Sequence, residues 1–86
     1  MEKTLRSVMD SLMNVITYDE AEVIVQMAIR NLEEQQVHKH LIARFILKLT
    51  DQIVLKKKVC EEYQMRLILD QLISFLRQSL RACILP

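Results

Sequence analysis

The sequence has no glycine and no tryptophan, and its one proline is residue 86. Tight turns with positive φ ordinarily draw on glycine, so hairpins and Greek-key connections are excluded as the main architecture. Only four aromatic residues are present, two Tyr and two Phe, which leaves little to stack on nucleic-acid bases. The two cysteines, Cys60 and Cys83, lie 23 positions apart with no C-x-x-C pair. That argues against a disulfide scaffold and leads us to expect a reducing, cytoplasmic setting. No apolar run approaches the roughly 20 residues that span a bilayer. Met1 to Asp10 mixes charged with apolar residues and does not read as a secretory leader.

What fills the chain instead is a set of strong helix formers: Leu, Lys, Glu, Gln, Arg, Met and Ala. An all-α fold follows, a single domain over residues 1–86. Apolar residues number 44 of 86, and 40 of these are larger than Ala. A helical domain burying three positions in seven along roughly 72 helical residues holds about 31 such side chains. The surplus, on the order of a dozen, requires cover from outside the chain, and self-association is the simplest source of it.

Formal net charge is +1, so no overall field points to nucleic acid or to an anionic membrane. Residues 1–40 carry four Lys/Arg against seven Asp/Glu, a net of −3; residues 41–86 carry eight against four, a net of +4. Such polarity suits head-to-tail pairing of two chains.

Leu5, Val8, Met9, Leu12, Met13 and Ile16 recur at helical spacing, which predicts a first helix over 3–16. Thr17-Tyr18-Asp19-Glu20 is a capping-box pattern: the Thr17 hydroxyl accepts from the Glu20 amide, and Glu20 reaches back to the Thr17 amide. A second helix is predicted over 18–34. Its run Val23-Ile24-Val25 sweeps about 200° of the helix surface, which implies a central position buried on more than one side. Glu33 to His40 reads as a turn. A third helix over about 40–55 carries Ile42, Phe45, Ile46, Leu49 and Ile53 on one face. The fourth, over about 59–83, carries Met65, Leu69, Leu72, Leu76 and Leu80 at the alternating spacing of a coiled-coil seam. Without a break, the last two stripes would lie about 150° apart on one rod, so a break or kink is expected near Lys56–Lys58.

The three lysines therefore read first as a solvated junction near a helix C-terminus. In a nucleic-acid-binding accessory role, the alternative function, Lys56, Lys57 and Lys58 would contact phosphates and steepen the salt dependence of binding. The near-neutral net charge, scarce aromatics and Glu61-Glu62 downstream weigh against it. His38 and His40 at i and i+2 diverge on a helix, and no second ligand cluster accompanies them. Arg77 and Arg81 beside the leucines of the last segment give a weak membrane-surface pattern that a packed bundle helix also produces. No catalytic, cofactor-binding or metal-ligating residues are expected, so the chain reads as non-enzymatic.

The sequence thus predicts a small bundle of three to four helices, antiparallel and completed by self-association. Its expected role is a protein–protein interaction module, a small adaptor or regulator. The expected partner is a second copy, a dimer foremost, or a helix of another protein. The seam Met65, Leu69, Leu72, Leu76 and Leu80 is the candidate interface.

Overall fold

The computed structural model describes residues 2–84. Over that range the chain forms four helices and no strand: α1 (Glu2–Leu12), α2 (Tyr18–Glu34), α3 (Lys39–Val59) and α4 (Tyr63–Ile84).

α1 stops four residues earlier than its apolar spacing predicts. Asn14 is the reason: its side-chain amide donates to the Asp10 carbonyl at 3.3 Å, the acceptor its own backbone N–H would use in a continuing helix. That N–H donates instead to the Ser11 carbonyl. Val15 still reaches the core, whereas Ile16 points outward, 80% exposed.

α2 begins where the capping box places it. The Thr17 hydroxyl accepts from the Glu20 N–H at 3.3 Å. The return bond runs from that hydroxyl to Glu20 Oε1, not from the Thr17 amide. α2 ends in a Schellman motif: the Val37 N–H donates to the Leu32 carbonyl and the Gln36 N–H to the Glu33 carbonyl. Gln36 sits at φ 61°, the left-handed position that glycine usually fills. A side chain there costs roughly 1–2 kcal/mol, part of which glycine would lose again to its freer unfolded state. Gln36→Gly is therefore expected to stabilise the fold by about 0.5–1 kcal/mol and to raise the thermal midpoint by a few degrees in a CD melt.

α3 runs straight through Lys56–Lys58 to Val59, so the predicted break lies a few residues further on. Lysines are good helix formers, and in a last turn they complement the helix dipole. Cys60 turns extended (φ −82°, ψ 123°), and the Glu62 carboxylate then accepts from the Gln64 and Met65 N–H groups at 3.0 and 2.9 Å. Glu62 thus caps α4 without any glycine or proline. The break brings both stripes into one core, as the phase difference requires.

α3 and α4 make the most extensive contact, α2 packs on α1 and α4 and less extensively on α3, and α1 packs on α2 and α3 but not on α4. α1 and α4 are consequently kept apart by α2 and α3, which touch each other between them. α2 touches all three other helices, as the predicted central position requires, but its wide apolar arc is only partly covered. α2 buries one stripe, Ala21, Val25 and Leu32, while Val23 and Met27 face outward. The hidden centre belongs to Ile46, Leu49 and Ile53 of α3 against Leu69, Leu72 and Leu76 of α4. No polar residue is buried among the described residues, so hydrophobic packing alone sets the interior.

The helix ends gather into two groups. Thr4 of α1 shares a groove with Glu34 of α2, Glu2 another with Leu41 of α3, and Glu33 a third with Lys39 and Cys83. At the opposite end, Tyr18 and Glu22 share a groove with Asp70 and Gln71, and Lys57 bonds Asp70. The start of α2 is thus level with Asp70, about two turns inside α4, so the α3–α4 connection projects beyond the 13–17 connection; these two connections and the turns beside them are called the two-loop end below.

Candidate interaction surfaces

The candidate seam is occupied by the chain's own core. Leu69, Leu72 and Leu76 are buried, and Met65 and Leu80 are half-buried against the same cluster. The stripe is real, and α2 and α3 cover its three central leucines, while Met65 and Leu80 stay partly exposed at its ends. Periodicity identifies an apolar face without identifying the molecule that covers it.

The lysine run does not form one phosphate-facing surface. Successive helical residues project 100° apart, so Lys56, Lys57 and Lys58 spread around the last turn of α3. The Lys57 ammonium is held by Asp70 at 2.6 Å, while Lys56 and Lys58 are exposed. The hydrogen bond from Lys57, and then its charge, hold the Asp70 carboxyl below the usual carboxylate range, with Arg66 and Arg77 adding to the effect. Because folding depresses that pKa, the pair's contribution is present above the ordinary aspartate range and is lost as acid protonates Asp70. In Lys57→Ala the Asp70 carboxyl is expected to titrate at higher pH, nearer its ordinary value, by side-chain carbonyl NMR.

His38 and His40 are not both helical. His38 is the N-cap of α3, its Nδ1 accepting from the His40 N–H at 3.1 Å, and the two rings stack with centroids 4.9 Å apart. That lone pair is therefore engaged in capping. No group of three or more His, Cys, Asp or Glu gathers at metal-binding separation among the described residues. Cys83 donates to the Lys39 carbonyl at 3.4 Å, tying the end of α4 to the start of α3, and Cys60 lies in the other connection. Tyr18 donates to Glu22 at 3.2 Å; burial first, then the Glu22 charge and hydrogen bond and the Asp19 charge, push its phenol up.

The surplus of apolar residues emerges as eleven exposed large side chains among the described residues. Scattered singly, such residues are normal; grouped, they mark a contact surface. Six belong to the two-loop end: Met13, Ile16, Leu55, Val59, Tyr63 and Leu67. Ile16, Val59 and Tyr63 are the most exposed of all, at 80, 76 and 72%. Val23 and Met27 form a smaller pair on the outer face of α2. A groove of about 660 Å³ between α2, α3 and α4 has Ile42, Ile46 and Phe75 in its lining, with Arg30 and Lys39 beside them.

Stripe counting misses the two-loop end because its residues flank the junctions instead of repeating along a face. The available signal is phase: Val59 lies about 240° beyond Ile53 on α3 and Tyr63 about 180° from Leu72 on α4, off both core stripes. No helix among the described residues is long and apolar enough to cross a membrane. No protein-family model matches the chain, and no curated protein or solved structure matches it.

Proposed function

We propose that the chain is a non-catalytic protein-interaction module, an antiparallel four-helix bundle that self-associates in the cytoplasm as a small adaptor or regulator. The observation that carries this reading is the apolar surface left over once the core is closed, above all the group at the two-loop end. Covering a large apolar side chain contributes about 1.5–3 kcal/mol, so pairing a few of them supports a reversible complex.

Self-association of the folded state links stability to concentration by mass action. The thermal midpoint is therefore expected to fall on dilution through the micromolar range in scanning fluorimetry or CD. A midpoint independent of concentration opposes the reading.

A further inference from the structure

Independently of the self-association reading, we infer that the α2–α3 connection is acid-sensitive: protonation of the His38 ring removes the cap of α3 and loosens the first turn of that helix. Three backbone donors of the turn converge on His38. Its carbonyl accepts from the Leu41 and Ile42 N–H groups at 2.9 and 3.1 Å, and its Nδ1 accepts from the His40 N–H at 3.1 Å. Two other helices start on oxygen. The Thr17 hydroxyl caps α2, with Asp19 and Glu20 behind it, and the Glu62 carboxylate caps α4. α3 has no acidic residue in its first turn, which opens with Lys39 and His40. Of these three capping acceptors, only the imidazole belongs to a side-chain type that changes charge between about pH 5 and 8.

Protonation acts in three ways, all of one sign. It turns Nδ1 from acceptor to donor and leaves the His40 N–H without its partner. It sets a cation at the positive end of the α3 dipole. With His40 charged as well, it opposes like charges on two rings stacked 4.9 Å apart. Both histidines are exposed, so protons reach them without any opening of the fold. The surrounding charges divide. Glu33 and Glu34 at the end of α2 favour charged rings, whereas Arg30 on that helix, Lys39 and Arg44 on α3, and Arg81 in the last turn of α4 oppose them. From α1, Glu2 is held by Lys48 at 3.5 Å. Neither ring pairs with a carboxylate among the described residues. Only the neutral ring caps, so the cap's contribution is present in neutral solution and is lost as pH falls through the imidazole range. The same turn carries the Lys39 carbonyl that accepts from Cys83 Sγ, so its loosening reaches the end of α4.

CD melts at one protein concentration, at pH 7.5 and pH 5.0, test this. The wild-type midpoint is expected to fall by about 4–8 °C, the equivalent of one lost N-cap. His38→Asp is expected to lose most of that fall, because a carboxylate caps the helix at both pH values. His40→Gln keeps most of it, because the cap accepts from the backbone N–H of residue 40 and not from its ring. By NMR the His40 amide resonance is expected to titrate together with the His38 ring. A wild-type midpoint that is the same at both pH values overturns the inference. So does an undiminished fall in His38→Asp, or a His40 amide that does not follow the His38 ring. A fall abolished by His40→Gln and retained in His38→Asp assigns the effect to the charge on His40 and likewise overturns the cap.

Discussion

Leu72→Asp is expected to leave the chain unfolded at 25 °C. Leu72 is fully buried, with Leu69 and Leu76 on the same stripe of α4 and α3 against it, and no polar residue is buried nearby to partner a carboxylate. An isolated charge in such a site costs several kcal/mol even when the surroundings relax. A domain of this length sits toward the lower part of the usual range of about 5–15 kcal/mol, so one such substitution consumes most or all of its stability. Far-UV CD should show loss of most helical signal and of the cooperative melt. A variant melting like wild type would place Leu72 in solvent and contradict the packing of α4.

Leu49→Ala is the second large effect. Leu49 is fully buried in the middle of α3, and truncation there removes apolar contact and leaves a cavity, at about 2–5 kcal/mol. For a domain of this size that corresponds to a drop of roughly 10–30 °C in midpoint. Leu47→Ala, two residues away on the outward side of the same helix and 47% exposed, should cost less than about 1 kcal/mol. The pair holds helix, residue type and length of truncation constant, so the contrast isolates burial. Equal losses at the two positions would mean that α3 is rotated relative to the arrangement described here.

Local chemistry made part of the fold legible in the sequence. The absence of glycine and the abundance of helix formers identify the class, and Thr17 with Glu20 marks the start of α2 at the observed residue. Ile42, Phe45, Ile46, Leu49 and Ile53 face inward as their spacing requires. The differences arise where a single side chain decides the backbone. Asn14 takes a carbonyl from the helix and ends α1 ahead of Ile16, which then emerges into solvent. Glu62, an uncommon N-cap, moves the α3–α4 break past the lysines. Gln36 holds a left-handed conformation that the lack of glycine argues against.

The apolar excess was legible in quantity but not in its distribution over the bundle. Counting apolar residues anticipates a surplus of on the order of a dozen, and eleven exposed large side chains remain among the described residues. The coiled-coil spacing of α4 directs attention to the seam because periodicity favours long elements. A bundle satisfies its longest stripe first, internally, and α3 and α4 make the most extensive contact by lying along each other. What remains uncovered is whatever lies off-stripe or beside a connection, and at the two-loop end both conditions meet. Position in the bundle, which depends on where α1 and α3 stop, is the information the linear pattern lacks.

Sedimentation equilibrium on the unmodified chain bears most directly on whether it leaves greasy surface for its own kind. From low micromolar concentration upward, the weight-average mass is expected to rise reversibly from 10.2 kDa toward twice that value and to level there, as a closed two-fold pair requires. A mass of 10.2 kDa that does not change with concentration would contradict the account.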